Sequence, residues 1–428
     1  MTKIKVSAFL FAFIACISTF AQKASSNKYS SEIEKLANQQ SIQKAFEHIL
    51  QLEPQTLKDH ILLNEIPAPN LLEAEKGLKF AEMLKAAGAD SVWIDKVGNT
   101  IALRKGAKSK RVVAINAHID TVFPEGTDVT VKIKGDTLYA PGIGDNSRGL
   151  MILLTVLRAM EAADVETEAD ILFVGTVGEE GLGDLRGSKY IFNESGLQID
   201  SWISVDGESI GSIVNEALGS MRYRILFEGP GGHSWGAFGY VNPIHALSAA
   251  IHYFDNEANE FTKYGPKTSY NVGRIGGGTS INSIPYNAWA EVDMRSESSE
   301  SLDTIEAILL KATNKALLEQ NKMKRSGPDL KLQIIPVGKR PSGRIDPTVS
   351  LIQKALAAAK FFGKEPQLSI GSTDASIPIS KNIPAITIGR GGKGGANHSL
   401  GEWWINKDGH IAIQYALLVL VSEAGLSK

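Results

Sequence analysis

The sequence predicts an α/β fold into which a smaller α+β domain is inserted, and three observations predict it. Four apolar runs of strand-forming residues, Arg111–Asp120, Asp170–Val177, Trp202–Val205 and Ala385–Ile388, read as buried strands. Each leads into histidine or carboxylate, as in an open α/β sheet whose chemistry lies past the carboxyl ends of its strands. Between the third and fourth runs the pattern changes to alternating strands and two helices in the order β-α-β-β-α-β, that of a ferredoxin-like unit. At 428 residues the chain has room for two or three domains of roughly 150 residues.

The first residues read as an export signal. Lys3 and Lys5 give a charged start, residues 6–20 an apolar centre, and Thr19-Phe20-Ala21 a small-x-small cleavage site. The apolar run is short for a spanning helix and no second candidate follows, so cleavage is preferred to anchoring. The single cysteine, Cys16, lies in this segment behind Phe13, which makes a poor lipoprotein box. Cleavage after Ala21 leaves no thiol for catalysis, disulfides or cysteine-bound zinc. The expected location is periplasmic or secreted. The expected boundaries are 1–21 for the signal, 22–216 and 339–428 for the two parts of the main domain, and 217–338 for the insertion.

Residues 22–31 are a polar lead, and a helical pattern runs from about Ser31 to Leu52. Two prolines make Glu65–Asn70 a loop. Leu71–Ala87 is an amphipathic helix stopped by Gly88, and Val92–Arg104 is strand material around a turn at Gly98-Asn99. Pro141–Gly149 leads into a helix with Leu150, Leu153, Leu154, Leu157 and Met160 on one face, so Asp145 sits at a helix start. In the insertion, Met221–Phe227, Thr268–Ile275, Ala288–Arg295 and Leu330–Val337 read as strands. Asn242-Pro243 opens one helix, and Ile305, Leu309, Ala312 and Ala316 mark the face of the other. Pro347–Phe362 and Gly409–Ala424 are helical.

His118 and Asp120 share one face of their strand. Glu179 and Glu180 are adjacent at the next strand end, where two carboxylates repel unless a cation or a shared proton intervenes. Asp206 ends the third run, and His398 follows the fourth after the loop Gly389–Asn397. Any one of these is explained by an ordinary role, Asp145 as an N-cap for instance. Together, two imidazoles and several carboxylates without sulfur suit two divalent ions such as zinc. A formal net charge of -2 supplies no basic field for nucleic acid or an anionic membrane. Gly389–Gly395 precedes His398 rather than a helix-opening Lys-Ser/Thr, so it is no phosphate cradle.

Ile66–Pro69, Ala117-His-Ile-Asp-Thr-Val122, Gly144-Asp145, Gly178-Glu-Glu-Gly181, Asp206-Gly207, Gly231-Gly-His-Ser234, Gly277–Asn282, Gly371–Ala375 and His398 form a combined pattern. In it the chain resembles the M20 family of metallopeptidases and amidohydrolases, which includes glutamate carboxypeptidase, tripeptidase T and amino-acid deacylases. The resemblance implies a zinc-exopeptidase-like three-layer catalytic domain with an inserted dimerisation or lid domain. It implies two divalent ions, zinc foremost with cobalt and manganese open. Asp145 would bridge them, with His118 and Asp206 on one and Glu180 and His398 on the other. Asp120 would orient His118, and Glu179 would be the general base. His233, Asn282 and Arg340 resemble substrate contacts: the first for the oxyanion, the others for a free carboxylate. A cis Asp145–Asn146 bond and a homodimer through the insertion are implied too. The substrate class is a small peptide or an N-acyl amino acid. Aspartate at 206, where many deacylases carry glutamate, and the export signal tilt the reading towards an exopeptidase. Ser147-Arg148 departs from the lysine and glycine common in relatives, without touching a ligand position. An inactive, peptide-binding relative would lack a ligand or the base, and all are present here.

Overall fold

The structure, a computed structural model, describes residues 28–108 and 110–427. The expected export segment and Cys16 lie outside the described residues. The main domain is built on a nine-stranded sheet. Its order runs Ser91–Ile94, Thr100–Arg104, Asp170–Thr176, Val112–His118, Ser201–Gly207, Ala385–Gly389, Ser212–Ala217 and Gly343–Arg344, with Gln367–Gly371 paired to Ser212–Ala217. The His118 strand is parallel to both the Asp170 and the Ser201 strands, and the Ser201 strand is parallel to Ala385–Gly389. Four carboxyl ends therefore open on one edge. Successive residues from Val113 to His118 are all buried. Because side chains alternate across a strand, helices must cover both faces.

The insertion holds four antiparallel strands in the order Thr268–Gly277, Asn287–Ser296, Gly219–Glu228, Lys331–Arg340. The helices Pro243–Phe261 and Ser299–Met323 pack on it through a core that includes Ile225, Phe227, Leu247, Phe254 and Leu309. This is the expected ferredoxin-like order. The closing strand extends to Arg340, past the expected Val337. No helix among the described residues is long and apolar enough to cross a membrane.

Several elements differ from the sequence pattern. The first helical stretch divides into 28–37 and Gln40–Gln51. A further helix, Glu53–Asn64, was hidden because its buried face is largely polar, with Thr56, Asp59, His60 and Asn64. The next helix begins only at Ala74, because Leu71 has φ 73 in a turn closed by Leu72 N–H to the Pro69 carbonyl. The strands Ser212–Ala217 and Gln367–Gly371 were not foreseen. Neither was a small sheet of Lys132–Lys134, Thr137–Tyr139, Lys393–Gly395 and Trp403–Ile405, whose three-residue strands are too short for periodicity to show.

That small sheet seats the loop ahead of Asp145. Leu138, Ala140, Ile143 and Trp404 form a separate apolar cluster. His60 packs edge-on to Trp404 at 5.1 Å between ring centroids, with Nε2 2.6 Å from the Ile143 carbonyl oxygen. Burial first, and then the charge of Arg148, push this imidazole down to about 3 against the backbone bond, so it is neutral and donates to the carbonyl. Between pH 6.5 and about 3 the unfolded chain binds the proton that the native state refuses. Stability from this residue is therefore lost as pH falls below 6.5, by about 1.4 kcal/mol per unit. Urea unfolding of chelator-treated protein at pH 6.5 and 5 should show a smaller drop for His60→Leu than for the parent chain.

Candidate metal centre

His118 closes its strand, and its ring is fixed at both nitrogens. Nδ1 lies 2.9 Å from the backbone oxygen of Asp120. Nε2 lies 3.2 Å from Asp145 Oδ1 and 3.5 Å from Asp206 Oδ1. On the other side of Asp145, Oδ2 is 3.3 Å from His398 Nε2, which is 2.9 Å from Glu180 Oε1. The donor atoms of His118, Asp145 and Asp206 lie within 4.8 Å of one another, as do those of Asp145, Glu180 and His398. A third such group joins His118 to Glu179 and Glu180. The carboxylate of Asp145 thus belongs to two donor groups through different oxygens. Nitrogen and oxygen donors at this spacing fit a pair of divalent cations such as zinc.

The carboxylate of Asp120 does not do what the resemblance implies. It stands 3.7 Å from His118 Nδ1, farther than the Asp120 carbonyl, which is what orients the ring. Its two oxygens accept the N–H groups of Glu179 at 3.0 Å and Glu180 at 2.9 Å. The turn into this pair is made by Gly178 at φ 65, a conformation glycine adopts freely. Asp145 is not the helix cap either. Asn146 accepts from Gly149 N–H at 3.1 Å and donates to the Val205 carbonyl at 2.9 Å, leaving Asp145 to face the cluster. The Asp145–Asn146 peptide is cis.

The three residues expected at substrate divide between two places. His233 and Asn282 are exposed and come together in the insertion. The pairs Gly232–Ile284 and His233–Ser283 form a short ladder, and Ser234 N–H donates to the Asn282 carbonyl at 2.9 Å. Among the described residues no hydrogen bond or ion pair joins either side chain to the acidic cluster. Arg340 is at the cluster, but its guanidinium is not an open fork. It is buried, with Nη1 3.1 Å from Glu179 Oε1 and 3.0 Å from Ser372 Oγ, and Nη2 donates to the Glu179 carbonyl.

Residues 114–422, well over half of the chain, match the family described as "Peptidase family M20/M25/M40". The chain belongs to this peptidase family. Carboxypeptidase G2 of Pseudomonas sp. (strain RS-16) is 24% identical over 74% of this chain and 74% of its own. A Pyrococcus abyssi protein with the provisional name LysW-lysine/LysW-ornithine hydrolase is 34% identical over 119 residues, 28% of this chain. That match spans only about a third, 32%, of the archaeal relative's length. Among solved structures, aminopeptidase PepT from Bacillus cereus superposes with TM-score 0.69 at 20% identity, over 87% of this chain and 99% of that one. The Bacillus subtilis protein YXEP, titled a dinuclear metal-binding peptidase of family M20, gives 0.62 at 19% identity, over 87% and 99%. At these identities the superpositions establish the fold.

Two residues of this M20 site escape a reading by sequence. Arg390 follows the Ala385–Gly389 strand and is buried, with Nη1 3.1 Å from both Asp145 Oδ1 and Asp206 Oδ1. The one local sign is a charge directly after an apolar strand, masked by the glycine loop around it, and it does not reveal the partners. Glu402 is fully buried and accepts N–H groups from Gly142 at 2.7 Å, Gly144 at 2.8 Å and Asp145 at 2.9 Å. Nothing local in the sequence marks it.

The charges interlock. Burial alone would raise the Asp145 carboxyl, but Arg390, then bonds to His118 and His398, hold it well below the usual range. Burial likewise opposes charge on His118, yet its bonds to Asp145 and Asp206 hold the imidazole well above its ordinary value. His398, half exposed, is raised to about 10 by its bonds to Asp145 and then Glu180. Burial pushes Glu179 well above the carboxylate range; Arg340 opposes this and Glu180 reinforces it.

Glu402→Ala would leave three buried N–H donors without an acceptor, each worth about 1–3 kcal/mol. We expect a lowered urea midpoint for Glu402→Ala and a smaller loss for Glu402→Gln, whose amide oxygen still accepts.

Proposed function

We propose that this chain is an exported dinuclear-metal hydrolase that trims small peptides as an exopeptidase. The observation that carries the reading is the two-sided placement of Asp145, one oxygen facing His118, whose Nε2 also meets Asp206, and the other facing His398. His118, Asp145 and Asp206 would hold one ion, and Asp145, Glu180 and His398 the other. When bound, such ions supply a water acidified towards neutral pH and a Lewis acid for the scissile carbonyl.

The remaining work falls to the chain's own residues. Glu179 would take the proton from that water and deliver it to the leaving amine. Its carboxylate oxygen lies within 4.8 Å of the donor atoms of His118 and Glu180, beside where that water would be held. Asp120 fixes the backbone that carries Glu179 through its N–H bond. Arg340 keeps the Glu179 side chain in place at 3.1 Å. His233 and Asn282 would reach substrate from the insertion. Exposed Trp235, Phe238 and Ile281 close by in the chain support a homodimer through this domain.

Chelation should abolish dipeptide hydrolysis, and zinc or cobalt should restore it. Glu179→Gln should lower kcat by about 10²–10⁴-fold while metal content, measured by elemental analysis, stays at two ions per chain. Full activity in that variant would remove Glu179 from the mechanism. For the assembly, sedimentation of the parent chain should give a dimer and of Trp235→Asp a monomer.

A further inference from the structure

We infer that the groove beside Glu180 is the subsite for an apolar side chain of the substrate, next to the scissile amide. The inference rests on the hydrolase reading above and adds the substrate class. The groove, about 400 Å³, opens between Pro69–Leu72, Thr121–Glu125 and Glu180–Leu182. That volume lies in the range of roughly 300–1,000 Å³ typical of small-molecule sites. Its walls are Pro69, Leu72, Val122, Phe123, Pro124 and Leu182. Leu72, Val122 and Leu182 are exposed at 49%, 38% and 74%, which gathers apolar surface where a ligand would remove it from water.

Three features make this a subsite rather than a bare patch. The first is continuity with the reaction centre. Glu180 lines the groove, and its Oε1 is 2.9 Å from His398 Nε2 in the donor group that includes Asp145. A peptide held at the cluster has a neighbouring side chain within reach of these walls. The second is an unpaired acceptor. Asn70 lines the groove, and among the described residues its buried Oδ1 has no hydrogen-bond partner, a rare condition that a turn of the side chain towards a substrate N–H would relieve. The third is how the wall is built. Leu71 sits at φ 73, a region leucine rarely adopts, in the turn closed by Leu72 N–H to the Pro69 carbonyl at 2.8 Å. Thr121 N–H to the Ala68 carbonyl at 2.9 Å and the Pro69–Thr121 bridge pin that turn beside the His118 strand. Strained turns of this kind persist where the surroundings fix them, and they cluster at ligand clamps.

The charge of the lining sets the selectivity. Among the described residues the charged residues lining the groove are Glu125 and Glu180; with Glu180 in the donor set, Glu125 is left to disfavour an acidic side chain, and the apolar walls accept an aliphatic or aromatic one. Its backbone N–H or amino group would donate to Asn70 Oδ1.

The test uses the metal-loaded full chain and dipeptides carrying Leu, Phe, Gly or Asp at each position. At one of the two positions Leu or Phe should exceed Gly and Asp in kcat/KM by roughly 10–200-fold, the range set by apolar pockets. Leu72→Asp, and separately Leu182→Asp, should erase most of that ratio, read as leucine over glycine within each variant. Calorimetric binding of leucine hydroxamate and glycine hydroxamate gives a readout that needs no turnover, and the leucine compound should bind at least about 10-fold tighter. Hydrolysis without side-chain preference, together with equal hydroxamate binding, overturns the subsite and leaves the hydrolase reading standing. No hydrolysis of any peptide, with the leucine preference in binding intact and lost in Leu72→Asp, overturns the hydrolase reading and keeps the subsite.

Discussion

A partly buried carboxylate that faces two ways imposes its requirements on the rest of this molecule. Asp145 stands between two imidazoles and shares its surroundings with Asp206, Glu180 and Glu179. Acidic groups this close repel in a poorly solvated pocket, so cations must neutralise them. The chain supplies part of that charge itself through Arg390, bonded to Asp145 and Asp206, and Arg340, bonded to Glu179. The donor atoms must also stay in place against repulsion. That explains the density of fixed backbone around them: Glu402 on three N–H groups of the Asp145 loop, Asp120 on the two N–H groups of the Glu179–Glu180 turn, and Asn146 at the helix start.

The same constraint explains what could be read before any coordinates. His118, Glu179, Glu180 and Asp206 each follow an apolar strand, and a short buried run with charge at its end is a local signal. Parallel pairing of those strands then brings the ends together without further instruction. Asp145 and His398 were legible only as part of a combined family pattern, since each lies in an irregular loop. Arg390 and Glu402 acquire their meaning from partners 245 and 260 residues away, and no window of sequence contains both halves. The helix Glu53–Asn64 was unreadable for a different reason. Helical periodicity is seen as apolar residues on one face, and this helix buries polar groups that support the Asp145 loop, His60 among them.

The correction at Asp120 follows from geometry too. A side chain two residues past a ring on a strand shares its face, which favours contact in principle. Here the chain has left the strand after His118, and the Asp120 carbonyl reaches Nδ1 first. Its carboxylate is then available to the next strand's turn, a neighbour because Ile119 N–H pairs with the Thr176 carbonyl at 2.7 Å. One residue thereby couples the ring of one donor group to the backbone that carries Glu180 of the other.

The adjacency of Glu179 and Glu180 now has a mechanical reading. Glu180 is extended, at φ -80 and ψ 147, yet a carboxylate oxygen of each residue converges on His118, all within 4.8 Å of one another. Glu179 also meets Arg340, and Glu180 meets His398 and the apolar groove. The donor cluster therefore meets a cation, Arg340, through Glu179 and an apolar groove through Glu180. Arg340 cannot be treated simply as a fork waiting for a substrate carboxylate, because the same guanidinium opposes, without cancelling, the burial that raises Glu179. Whatever draws Arg340 away alters the charge of the side chain beside it, so contacts at Arg340 and proton affinity at Glu179 are physically linked.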